Sequence, residues 1–439
     1  MTIHNLVSFL GIFILVGVAW LCSENRKVVN FRVVFWGIAL QLLFALFIFA
    51  VPIGSRFFLG VNNVVVSVLD SAAAGTKFLF GRLALAPGAV NEAGETSLGF
   101  FLAFQALPTI IFFAALVGAL YYLKIMDWVI RGFAYVFTRL MRISGAESLS
   151  TSANIFVGVE SALVVQPYLA GMTRSELTTI LTAGMATIAS TVLAMYVIML
   201  QRVLPTIAGH LVSASFLAAP AALVMSKLII PETGRPETLG LNIKPYSEHE
   251  DNLIMAIING ANAGLRLLGG IVALLLAFLG LLALLDLILG WAGGGVNHLF
   301  GWNVTWSIKT LLGYIFYPFT LILGVAPSDA MAVARLIGER TVTTEVVAYQ
   351  DLAKLLAANG LSDPRSAVIA SYALCGFAHI ASLAIFVGGT GALVPGRIKD
   401  LSRIGFKALL AATLACLMTA AVAGAFATSG SVLLGRLGQ

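Results

Sequence analysis

The stretch SGAESLSTSANIFVGVESALVVQPYL, residues 144–169, decides how the rest of the chain is read. Its first half is rich in Ser, Thr and Ala. Its second half is apolar, yet it carries one carboxylate, Glu160, and breaks at Pro167. A solvated loop would not hold so many valines and leucines. A lipid-facing helix would not hold Glu160, because a carboxylate at bilayer depth is costly unless it faces protein or water. Non-helical backbone at that depth needs the same shelter. The stretch therefore predicts a hairpin that enters a membrane wrapped by other helices, provided the surrounding chain is a membrane protein.

Composition meets that condition. Of 439 residues, 59% are hydrophobic and only 10% are charged, and the mean hydropathy is +0.98. A soluble domain is about one quarter charged, and even a large one buries only about three quarters of its unfolded surface. The surplus apolar surface must face lipid. The net charge of +6 sits in short loop clusters, which fits orientation signals and not a nucleic-acid footprint. Cys22, Cys375 and Cys416 have neither metal-ligand spacing nor the density of a disulfide framework.

Eight apolar segments read as ordinary spans: residues 5–22, 33–51, 101–123, 177–200, 210–230, 265–294, 371–394 and 406–426. Residues 52–96 are mixed and read as lying partly along the interface. Residues 124–142, KIMDWVIRGFAYVFTRLMR, intersperse charged with aromatic groups and predict an amphipathic interfacial helix. Basic residues concentrate at 23–32, 124–142, 227–244 and 396–407. Placing all of these on the cytoplasmic side lets the spans alternate only if two more segments, 143–170 and roughly 311–350, enter and leave on one side. The first carries Glu147 and Glu160, the second Glu339 and Glu345. Ser144 and Glu147 have capping-box spacing, so Glu147 reads as structural. Each hairpin precedes an apolar helix with polar groups inside it: Thr187 and Ser190, then His379 and Ser382. Such paired interruptions point to a transporter with inverted repeats and a midplane site. A passive channel would need rings of charged side chains, and a membrane enzyme a paired nucleophile and base; neither stands out. VGGTGALVPG, residues 387–396, lacks the spacing of a phosphate loop.

At SGAESLSTSANIFVGVES, QPYLAGMTRSEL, AGHLVSASFLAAPAALVMSKLIIPE, TEVVAY and CGFAHIASLAIFVGGTGALVP the chain resembles the concentrative nucleoside transporters, over nearly its whole length. The resemblance implies an all-α polytopic protein of the cell inner membrane. It implies eight transmembrane helices and two re-entrant hairpins in an inverted-repeat transport domain, with interfacial helices, assembled as a homotrimer. On that plan residues 1–123 are scaffold helices, 124–230 a first transport repeat, 231–294 a polar loop and long scaffold helix, and 295–439 a second repeat. The implied activity is nucleoside import driven by Na+, with H+ as the alternative coupling ion. By the same resemblance Glu160 and Glu345 hold ribose hydroxyls, Phe377, His379 and Ser382 line the ribose and base, and Val192 flanks the base. Asn154, Val157, Thr187 and Ile188 fall where the family's sodium ligands lie, the two aliphatic residues offering only backbone carbonyls. Two departures bear on selectivity. The family's Gly-Gln-Thr-Glu-Ala-Pro-Leu signature is here GVESAL, with Val159 in place of two polar residues. His379 stands where the family usually has asparagine and adds a titratable group. With Val159 offering no hydrogen bond, a broad choice of bases and a strict demand for ribose are expected.

Overall fold

The computed structural model describes residues 3–91, 94–246, 250–301 and 304–428. Helices form nearly all of it: α1 (Ile3–Leu21), α2 (Phe31–Ala45), α3 (Pro52–Phe80), α4 (Leu102–Gln105), α5 (Thr109–Tyr122), α6 (Ile125–Met141), α7 (Gly145–Ala153), α8 (Arg174–Ala186), α9 (Ser190–Leu200), α10 (Ile207–Ile229), α11 (Leu253–Phe300), α12 (Ile308–Ile322), α13 (Pro327–Val342), α14 (Glu345–Ala357), α15 (Pro364–Leu374), α16 (Ile380–Leu393) and α17 (Ile398–Phe426). Among the described residues, β-pairing is limited to two isolated bridges. Many helix starts are written in the sequence. The side chains of Asn30, Ser144, Thr173, Asn252, Ser307 and Asp363 each accept a backbone N–H of the first turn, which satisfies donors that have no partner inside the helix.

Eight helices are long and apolar enough to cross a membrane. Seven answer to the predicted spans, but the eighth is not residues 371–394. It is α3 with its 3-10 extension to residue 84, in the region read as interfacial. The polar residues that lower its hydropathy include Asn62, which is buried and accepts the Gly209 N–H of α10 at 3.1 Å. A polar side chain satisfied by a neighbouring helix does not oppose burial. Residues 371–394 instead split between α15 and α16. The second hairpin is also shifted. It comprises α13 and α14, while α12 is a separate apolar helix packed along α13.

Two layers are distinguished by burial. In the most apolar stretches of α10 and α17, 89% of residues are buried, and 83% in α8–α9, against 33% in α1 and 6% in α11. The 48-residue α11 is roughly 70 Å long. It is held to α5 by small residues: a Cβ on Gly118 would meet Ala256 O at 2.7 Å, and one on Gly264 would meet the Ile111 Cα at 2.8 Å. Such close approach is how membrane helices gain packing energy. α6 is amphipathic as read: Ile130, Phe137 and Met141 are fully buried while Trp128 and Tyr135 are exposed.

The element order repeats. α6, a hairpin (α7 and a 3-10 segment, Val159–Tyr168), the broken pair α8/α9 and the long α10 are followed, after α11, by α12, a hairpin (α13/α14), the broken pair α15/α16 and the long α17. This order sets both hairpin tips against both helix breaks.

Candidate functional site

The first hairpin is anchored at its base. Ser144 Oγ accepts the Glu147 N–H at 3.2 Å, and Glu147 returns a bond to the Ser144 N–H at 3.3 Å. Glu147 also pairs with the buried Lys227 of α10. α7 ends at Asn154, whose Nδ2 donates to Ser150 O at 3.0 Å while its buried Oδ1 has no hydrogen-bond partner. The tip beyond it is tied to the first helix break, because Phe156 O accepts both the N–H (3.0 Å) and the hydroxyl of Ser190. That tie joins the turn holding Asn154 and Val157 to the break holding Thr187 and Ile188, and all four residues are buried. Thr187 Oγ1 donates to Ala183 O at 2.9 Å, leaving its lone pairs available. α7 and α8 both end just before the Phe156–Ser190 tie, and helix C-termini carry partial negative charge.

The second hairpin presents Glu345 as the first residue of α14, where the helix N-terminus favours a carboxylate. Glu345 is 2% exposed. Its Oε1 accepts from Tyr196 Oη at 2.5 Å, and its Oε2 lies 2.9 Å from His379 Nε2. His379 caps α16: its Nδ1 accepts the Ser382 N–H at 3.1 Å, and Ser382 Oγ accepts the His379 N–H at 3.2 Å. With Nδ1 accepting that bond, the ring turns Nε2 toward the Glu345 carboxylate. The Ser382 hydroxyl itself donates to backbone carbonyls of the break, at Phe377 and at His379 (2.7 Å). Glu339 plays a different part. With Asp351 it grips Lys309 of α12.

The second break requires glycine. Gly376 has φ +148°, and a Cβ there would meet Cys416 Sγ at 2.7 Å and Ala186 O at 2.8 Å. The two breaks thus lie back to back, with the Cys416 thiol of α17 set 3.4 Å from Cys375 O and 3.7 Å from Ala186 O.

One cavity of about 70 Å³ lies between the hairpin tips, and Glu160, Val192, Glu345, Phe377, His379 and Ser382 all line it. The N-termini of α9, α14 and α16 border it. Glu160 and Gly158 also line a neighbouring cavity of about 350 Å³, together with Tyr121, Thr191 and Tyr246. The side chain of Val159 lies outside the described part of the structure. Asn154, Thr187 and Ile188 line neither cavity, Val157 lines the larger one, and all four are buried. Sequence reasoning missed Tyr196, the partner of Glu345. Its signal was a hydroxyl one helical turn after Val192 in an apolar helix.

Residues 10–83 match the family described as Na+ dependent nucleoside transporter N-terminus, and residues 210–424 the corresponding C-terminus. Residues 103–203 match a domain described as nucleoside recognition. The nucleoside permease NupC of Helicobacter pylori is 37% identical over 432 residues, covering 97% of this chain and 99% of the permease. The chain is a member of the concentrative nucleoside transporter family. Solute carrier family 28 member 3 of Mus musculus is 38% identical over 435 residues, 96% of this chain. The chain spans 59% of that relative's length. CNTnw, solved in an inward-facing substrate-bound state, matches with a TM-score of 0.84 at 36% identity, covering 96% of this chain and 98% of CNTnw. An outward-facing CNTnw variant matches with a TM-score of 0.85 at 35% identity, covering 97% and 98%. Membership fixes this chain as a multi-pass membrane protein of a transporter family, and its relatives are carriers, not enzymes.

Proposed function

We propose that this chain is a sodium–nucleoside symporter of the cell inner membrane that imports nucleosides by alternating access. The observation that supports this most is the cavity between the hairpin tips, where two carboxylates, Glu160 and Glu345, face one space. Ionised carboxylates only accept hydrogen bonds, which suits the hydroxyls of a ribose. Bonds to a charged acceptor are the stronger kind. Val192 and Phe377 flank the base, and Val159 leaves its edge without a side-chain hydrogen bond. His379 is the polar group for the base or sugar, and Ser382, through its bonds to the break, holds that ring in place.

Sodium binds through Asn154 Oδ1, Thr187 Oγ1 and the carbonyls of Val157 and Ile188. The unpartnered, buried Asn154 Oδ1 is the kind of neutral oxygen that a hard cation takes, and unwound helix ends supply carbonyls in the same way. Sodium then fixes the tip that carries Glu160 against the α8/α9 break, so the ion binds before the nucleoside. A volume of 70 Å³ holds about two waters. The nucleoside therefore parts His379 from Glu345, extends past Glu160 into the larger cavity, or does both. Residues 124–230 and 295–439 act as the moving repeats and residues 1–123 and 231–294 as the scaffold. The exposed length of α11 serves a homotrimer, which native mass spectrometry in detergent tests; mainly monomers or dimers would refute it.

Uptake of labelled nucleoside into proteoliposomes, with sodium and proton gradients imposed separately, tests the coupling. A sodium gradient at equal pH on both sides should drive accumulation. Accumulation on a proton gradient in sodium-free medium would replace sodium by a proton as the coupling ion.

A further inference from the structure

Arg340 is fully buried, and among the described residues it makes no ion pair. It lies in the last turn of α13 and donates from Nη1 to Ala373 O, in the last turn of α15, at 2.7 Å. Its Nε and Nη2 are buried without a nitrogen or oxygen partner, and the Cys416 thiol is the polar side chain beside the guanidinium. A lone buried cation is costly, so something other than a carboxylate must offset it.

The element order identifies what does. In element order α13 and α15 are the second-repeat counterparts of α7 and α8, which end at Ala153 and Ala186 just before the Phe156–Ser190 tie. Each helix C-terminus is equivalent to roughly half a negative charge. Two together therefore offset about one positive charge. In the second repeat that charge is covalent, the guanidinium of Arg340. In the first repeat no lysine or arginine occupies the equivalent turn: residues 150–154 read Ser-Thr-Ser-Ala-Asn. The two breaks also touch, since Cys416 Sγ lies within 3.7 Å of both Ala186 O and Cys375 O.

We propose that Arg340 is a built-in cation that fills the second repeat's counterpart of the ion site, so that the protein takes one mobile cation per nucleoside instead of two. This inference rests on the sodium reading of the first repeat. It assigns Arg340 a positioning role: the guanidinium holds the tip of hairpin 2 against the α15/α16 break, as sodium holds hairpin 1, and so sets Glu345 against His379. It also gives the two hairpins different status. Hairpin 2 is permanently locked to its break, and hairpin 1 is locked only when an ion is bound.

The test uses the full-length transporter in proteoliposomes. In the unaltered protein, the reversal potential should report one charge per nucleoside. Sodium dependence should be first order, since a single site gives a Hill coefficient of about 1. Arg340→Lys keeps the charge and should keep first-order, sodium-driven uptake. Arg340→Ser removes it, leaving a small oxygen-bearing pocket between two helix C-termini. At low sodium its uptake should fall about ten- to a hundredfold, the loss expected for one charged hydrogen bond. High sodium should restore uptake with a Hill coefficient approaching about 2, the limit for two sites. Two charges per nucleoside in the unaltered protein would overturn the proposal whether or not the serine variant folds. So would a folded serine variant with unaltered rate and first-order sodium dependence, or equal inactivity of the folded lysine and serine variants. Uptake by the unaltered protein that ignores sodium would overturn the sodium reading itself, and this inference with it.

Discussion

Replacing Glu345 by Gln keeps the size of the side chain and removes its charge. Glu345 accepts from Tyr196 Oη at 2.5 Å and faces His379 Nε2 at 2.9 Å. Both partners are donors, and His379 cannot turn into an acceptor at Nε2 while its Nδ1 accepts the Ser382 N–H. A glutamine has one acceptor and one donor end, so with its oxygen toward His379 the Tyr196 hydroxyl must give up donating and accept from the amide instead. On the proposed function the ribose hydroxyls lose a charged acceptor as well. A hydrogen bond to a charged group is worth about 1.5–3 kcal/mol, which corresponds to a loss of about 10- to 150-fold in nucleoside affinity. The α14 N-terminus loses a favourable carboxylate worth about 0.3–1 kcal/mol, too little to unfold the protein. Calorimetric titration of nucleoside into the purified variant at saturating sodium reads the affinity, and a thermal melt reads the fold. A dissociation constant within about twofold of the parent's, less than 0.5 kcal/mol, with an unchanged melt would confine Glu345 to a structural role.

Asn154→Ala removes the unpartnered Oδ1 and one bond to Ser150 O. The sodium concentration for half-maximal uptake should rise about tenfold or more, while stability drops by only about 1 kcal/mol; unchanged sodium dependence would move the ion elsewhere. Gly376→Ala should cost about 2–4 kcal/mol in thermal unfolding, because the methyl group meets Cys416 Sγ and Ala186 O and the backbone has φ +148°; a melt within 1 °C of the parent's would contradict the close contact of the two breaks. For base choice, competition of labelled uptake by uridine, cytidine, adenosine, inosine and their deoxyribose forms should show larger effects of sugar than of base. Exclusion of one whole base class would mean that backbone groups or water near Val159 read the base.

Much of this was legible in the sequence, and for local reasons. Hydrophobic surplus alone requires a membrane. Ser144 and Glu147 are three residues apart and so announced their own cap. Glu160 in an apolar run and the two odd segments were found because a charge or a broken helix at bilayer depth has few permitted surroundings. What hydropathy could not decide was which segments span. α3 reads as mixed because it carries Arg56, Asn62, Asn63, Asp70 and Lys77, and the burial of Asn62 becomes acceptable through its bond to Gly209 of α10. The Tyr196–Glu345–His379 arrangement joins three elements, with Tyr196 and Glu345 separated by 149 positions, and no local pattern encodes such a meeting. Nothing in the local sequence marks Arg340. Its isolation from solvent and acids, and its place against the end of α15, arise when the two repeats pack around Cys416. The sequence by itself determined the solvent, the helix ends and the chemical types at the site. Tertiary packing decided the partners, because hydrogen bonds and charge compensation depend on distances between elements that are remote in the chain.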